Sequence, residues 1–128
     1  EKAWGDEKNF PEKLKEEIFI KHLDGPLFFG STASFTETAK QIPTTASSLI
    51  IRLDKVPYID QSGLYALETV ILDLVQQHKK ILLVGPKEQP KFMMERIKMI
   101  PNLIPTTQIF ENFEDCVNWT QIHVKDEH

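Results

Sequence analysis

Asp60-Gln61-Ser62-Gly63 sets a carboxylate, an amide, a hydroxyl and a glycine side by side, and no other stretch of the chain concentrates as much potential chemistry. It stands after the apolar run Leu49 to Leu53, which Pro57 closes, and just ahead of apolar residues at Leu64, Leu67, Val70, Ile71, Leu74 and Val75. The second set has helical spacing, so the tetrapeptide reads as the approach to a helix. Either Asp60 or Ser62 can cap that helix by accepting bonds from its unpaired first-turn N–H groups. Those N–H groups and the helix dipole also favour an anion, including a phosphate carried on Ser62. Serine hydrolysis would want a Gly-x-Ser-x-Gly elbow, which Gln61-Ser62-Gly63 does not supply. Asp54 and Asp60 flank one loop and could pair, yet no base or glycine-rich cradle accompanies them.

The remaining reactive residue types do not converge. His22, His78, His123 and His128 are scattered over strand, helix end and tail, without metal-ligand spacing. Cys116 falls on an expected helix, where a lone cysteine packs as a small apolar group. Gly25 to Thr32 has the glycine spacing of a phosphate-binding loop, but lacks its lysine and has an apolar interior. No catalytic residue, metal site or cofactor is expected.

The elements that must position the tetrapeptide follow from the apolar pattern. Ile18 to Leu23 reads as a first strand, Asp24-Gly25 as a hairpin turn, and Pro26 to Gly30 as a second strand. Ser31 or Thr32 opens a helix to about Ile42. Leu49 to Leu53 is a strand covered on both faces, and Ile81 to Val84 is another. Lys87 to Ile100 reads as a helix burying Phe92, Met93, Ile97 and Ile100 and ended by Pro101. A short strand centred on Ile109 and Phe110 follows. A last helix begins near Glu114, with Phe113, Val117 and Ile122 facing inward. The order β-β-α-β-α-β-α-β-α predicts an α/β fold, a mixed sheet of about five strands with helices packed on it.

Strand, Asp60-Gln61-Ser62-Gly63-Leu64, helix and then Ile81 to Gly85 resembles the STAS domain family. That family includes anti-sigma factor antagonists and the C-terminal cytoplasmic domains of SulP-type anion transporters. The antagonists typically carry Asp-Ser-Ser-Gly, the second serine being phosphorylated. Ser62 matches that serine, Asp60 the acid and Gly63 the glycine, whereas Gln61 departs from the pattern. Leu27-Phe28-Phe29-Gly30 is similar to the phenylalanine-rich second strand of SulP-type domains. The resemblance covers roughly residues 16 to 124, leaving residues 1–15 as an arm after a membrane domain and 16–128 as the STAS domain.

Composition sets further bounds. The 128 residues carry a net charge of −4, which argues against generic nucleic-acid binding. A single cysteine excludes an internal disulfide. No apolar run approaches the roughly 18–20 residues of a membrane span, so the piece itself is expected to be soluble. Trp4 and Phe10 interrupt a charged start that lacks an initiator methionine, as a fragment would; docking of the two on the domain or disorder is expected ahead of membrane contact.

Two functions fit. The first is the regulatory, protein-interaction domain of a SulP-type sulfate or anion transporter at the cytoplasmic face of the membrane. The resemblance implies as partners the transporter membrane domain, acyl carrier protein or another cytoplasmic protein, and a homodimer formed through the whole transporter. The second is a stand-alone anti-sigma factor antagonist switched by phosphorylation of Ser62. In both, the working surface is Ser62 with Pro57, Tyr58, Asp60, Gln61 and Gly63. Gly63 is expected to keep the helix end clear for an approaching partner.

Overall fold

The computed structural model describes residues 3–28, 37 and 40–123. Among these, four strands form one sheet in the order β1 (Ile18–Asp24), β2 (Ser48–Lys55), β3 (Lys80–Val84) and β4 (Ile109–Phe110), each pair parallel. The helices are α1 (Gln61–Gln76), α2 (Glu88–Arg96) and α3 (Phe113–His123), with a short helical turn at Met99–Asn102. The α/β class is the expected one, with four described strands where about five are expected.

Strand β2 is buried on both faces, and its alternation sorts the core into two layers. Leu49, Ile51 and Leu53 join Ile81 and Leu83 beneath the apolar face of α1, with Leu64, Leu67, Ile71 and Leu74. Ile50, Leu82 and Val84 face the other way, against Phe113 and Cys116 of α3 and against Phe10 and Leu14. Residues ahead of β1 therefore dock on the sheet, in two three-residue turns at Gly5–Glu7 and Glu12–Leu14.

The expected hairpin at Asp24-Gly25 does not form. A two-residue type I′ turn needs positive φ at both central residues, whereas only Gly25 has it, at 85°. Instead the register shifts between His22 and Asp24 and the chain runs on in the same direction. The Gly25 amide donates to Lys55 O, and Leu27 forms a single parallel bridge with Ile59. Among the described residues the second strand shows as that bridge. Phe29 and Gly30, and most of the expected first helix, lie outside the described residues.

The helix expected over Lys87 to Ile100 stops at Arg96, since Lys98 takes a left-handed conformation with φ 68°. Met94 and Met99 lie in the core, and Phe92 is 58% exposed rather than buried. Ile122, expected to face inward, is likewise 60% exposed. Both sit on the outer sides of their helices, Phe92 beside Glu88, Lys91 and Glu95 and Ile122 between Gln121 and His123.

Candidate functional site

Helix α1 begins at Gln61, three residues before its first apolar contact, because Asp60 is the residue that caps it. The Asp60 carboxylate accepts from the Gly63 N–H at 2.7 Å, and its carbonyl accepts the first helical bond, from the Leu64 N–H at 2.8 Å. Ser62 is therefore inside the first turn and exposed to solvent. Asp60→Ala is expected to cost about 1 kcal/mol in a denaturant melt, and Asp60→Ser only a few tenths.

The approach to the cap is fixed by three sets of bonds. Val56 and Ile59 point into the core, at 0% and 1% exposure, which turns Pro57 and Tyr58 outward. The Leu27 N–H donates to Tyr58 O at 2.9 Å, and Leu27 O accepts from the Asp60 N–H at 3.0 Å. Gln89 of α2 reaches across to clamp Ile59: its Nε2 donates to the Ile59 carbonyl at 3.0 Å, and its Oε1 accepts from the Ile59 N–H at 2.9 Å. Proximity of the Leu27 backbone also explains Gly63, which is buried. A Cβ there would lie 2.6 Å from Leu27 O. The glycine accommodates this chain's own backbone, not an incoming partner as expected.

The resulting surface presents Pro57, Tyr58, Gln61 and Ser62, with Gln61 Nε2 donating to Tyr65 Oη at 3.4 Å. Phe28 packs its ring 6.0 Å from that of Tyr58, and Phe28, Tyr58 and Tyr65 are each 46% exposed. Among the sequence-derived site residues, Asp60 and Gly63 hold the backbone while the other four face out. Leu27 and Gln89 escaped the sequence reading, as their roles depend on contacts about thirty residues away.

A second constellation, built on β2, has no counterpart among the expected sites. The Arg52 side chain is 2% exposed, and each of its N–H groups finds a carboxylate. Nε and Nη2 donate to Asp54, at 3.3 and 2.5 Å. Nη1 and Nη2 donate to Asp6, the latter at 2.8 Å, and Nη1 also to Glu7 at 3.0 Å. Glu7 in turn holds His22 Nε2 at 2.7 and 2.8 Å from its two oxygens. Burial alone would lower the Arg52 pKa, but the bonds to Asp6, Asp54 and Glu7 raise it above the usual arginine value. The hydrogen bond from Arg52 holds the Asp6 carboxyl below its ordinary value. Asp54 and Asp60 thus serve different partners, Arg52 and the Gly63 N–H. Desolvation pushes the Cys116 thiol up to about 12, as suits a packed rather than a reactive cysteine.

Among the described residues no group of three or more His, Cys, Asp or Glu is arranged to hold a metal ion. No described helix is long and apolar enough to cross a membrane.

Fold and site together define an α/β domain that presents one rigidly held loop and helix start at the end of its central strand. The family model for the STAS domain matches residues 11–116, and the chain belongs to that family. It is 29% identical over 75 residues to YvdB of Bacillus subtilis (strain 168), named as a proposed sulfate transporter. That match takes in 58% of this chain and 14% of the B. subtilis protein, so the chain spans a small part of that relative's length. A sulfate transporter family protein from Wolinella succinogenes superposes with a TM-score of 0.81 at 22% identity, over 95% of this chain and 96% of that one. The SulP transporter STAS domain from Vibrio cholerae gives 0.73 at 24% identity, over 86% and 85%. Murine Slc26a9, an anion transporter in the inward-facing state, gives 0.72 at 19% identity, over 83% of this chain and 18% of that one. At these identities the three structures establish the shared fold.

Proposed function

We propose that this chain is the cytoplasmic regulatory domain of a SulP-type anion transporter, working by protein–protein contact and without catalysis of its own. One observation carries the reading: the Pro57–Gly63 loop is immobilised from beneath while Pro57, Tyr58, Gln61 and Ser62 face solvent. A backbone so held loses little freedom on binding, which favours recognition of another protein. The sulfate-transporter names among the relatives supply the transporter context. Its partners are then the transporter's own membrane domain and a cytoplasmic protein such as acyl carrier protein.

Ser62→Asp tests the surface. Ser62 is exposed, and a carboxylate in the first turn of a helix is favourable with its dipole, so the melting temperature is expected to stay within a few degrees of native. Affinity for purified acyl carrier protein, or for the membrane domain in detergent, is expected to fall at least tenfold. Affinity unchanged by Ser62→Asp would remove the surface from the interface. Recovery of phosphate on Ser62 after incubation with an anti-sigma kinase would replace the transporter reading with the antagonist one.

A further inference from the structure

The Arg52 constellation is made largely by residues far away in the chain, and the way they are held is unlike the rest of the fold. In the register of the sheet, Arg52 lies between His22 of β1 and Val84 of β3. It is therefore a cation set among the aliphatic side chains Ile50, Leu82 and Val84. Its guanidinium lies against the Phe113 ring, with Cζ 4.7 Å from the centroid, and Trp4 is 4.8 Å away. Trp4 also receives Lys55 Nζ at 4.3 Å and stands 4.7 Å from the His22 ring. Three of the five Arg52 bonds go to Asp6 and Glu7, two and three residues beyond that tryptophan. Three basic side chains from β1 and β2 thus meet one indole and two carboxylates.

The segment makes these contacts as a bound peptide does. Its own backbone bonds are local: Glu7 N–H to Trp4 O, Phe10 N–H to Glu7 O and Leu14 N–H to Pro11 O. Among the described residues its first backbone bond to the sheet region comes only at Glu17, whose carbonyl accepts from the Ser47 and Ser48 N–H groups. Ahead of that point, the contacts that hold it among the described residues are made by side chains. A strand added to a sheet edge is fixed by its ladder, whereas a segment held by side chains can leave without disturbing one.

We propose that Arg52, His22, Lys55 and Phe113 form a recognition site for an acidic segment bearing a tryptophan, occupied in cis by Trp4-Gly5-Asp6-Glu7. The site is then masked in the docked state and open to an equivalent segment in trans when the chain's own segment lifts away. Charge and shape both fit this occupant. Bidentate pairing suits a guanidinium to Asp6, and the indole face suits the neighbouring cations.

The test uses the full chain with Trp4→Ala, Asp6→Asn and Glu7→Gln together, leaving Phe10 and Leu14 in place. A peptide of residues 3–8, Ala-Trp-Gly-Asp-Glu-Lys, is titrated into this variant and into the native chain by calorimetry. The variant is expected to bind it at least tenfold more tightly than the native chain, whose site is filled. A peptide with Asn and Gln for the two acids is expected to bind at least tenfold more weakly. Equal affinity for the two chains, or for the two peptides, would overturn the proposal. Should the variant fail to fold, hydrogen exchange on the native chain decides. The Glu7 and Phe10 amides are expected to exchange at least tenfold faster than those of Ile50 and Ile51, and exchange of all four at one global rate would overturn it.

Discussion

Arg52→Met is expected to lower the unfolding free energy by about 3–5 kcal/mol, the range found when one member of a buried ion cluster is removed. For a domain of this size that corresponds to a fall of roughly 10–20 °C in melting temperature. The magnitude comes less from lost attraction than from what remains. Glu7, with a side chain 3% exposed, would be left with His22 alone, and Asp54 would lose a bidentate partner. Methionine fills much of the volume, so a cavity is not the main cost. Combining Arg52→Met with Glu7→Gln and Asp6→Asn should recover a good part of the loss, because the stranded charges go too. The sign with pH follows from Asp6. Its folded value lies below the ordinary 3.8, so its contribution is present above that value and is lost as pH falls through the lower one. The gap between native and Arg52→Met proteins should therefore narrow below about pH 4. A loss under about 1 kcal/mol at pH 7 in a denaturant melt would show that the cluster contributes little net stability.

How much of this was readable beforehand depended on whether the signal was local. Strands β2 and β3 and helix α1 show in the sequence because their apolar periods are long and uninterrupted. The site loop shows because Pro57 ends a strand just before a capping residue. The true start of α1 does not, since Gln61 and Ser62 are exposed first-turn residues that add nothing to an apolar pattern. The end of α2 is hidden for a related reason: Lys98 takes a left-handed φ that no glycine announces, and Pro101 invites a later boundary. Asp24-Gly25 misleads because its dipeptide preference is real, but pairing of Leu27 with Ile59 carries the chain straight on. The charge-rich start reads as a linker because its reason for docking lies about 45 residues away, at Arg52. The one clue is an arginine inside the run Leu49 to Leu53, which is otherwise leucine and isoleucine. A buried arginine demands carboxylates, and the sequence does not say which of nineteen acids will supply them.

Gly63→Ala should destabilise the protein by about 1–3 kcal/mol, the cost of overpacking a tight site. The sign is the informative part. At an exposed helical position the same change stabilises by roughly 1 kcal/mol, since alanine is the better helix former. Here the added Cβ would stand 2.6 Å from Leu27 O, 3.0 Å from Leu27 C and 3.1 Å from Asp60 Oδ1. Either neighbour can move only by giving up a bond. If Leu27 retreats, its carbonyl leaves the Asp60 N–H, now at 3.0 Å. If the Asp60 carboxylate retreats, the cap to the Gly63 N–H at 2.7 Å is lost. Gly5→Ala is the control, because a Cβ at Gly5 would meet nothing within 4 Å. Thermal melts of the two variants, with hydrogen exchange at the Asp60 and Gly63 amides, separate the outcomes. Faster exchange at these two amides in Gly63→Ala, with β2 unchanged, would place the damage in the cap. A Gly63→Ala protein as stable as the native one would mean that the Leu27 segment yields at no cost. The loop would then be held chiefly by Gln89, and the rigidity on which the proposed interaction surface rests would have to come from α2.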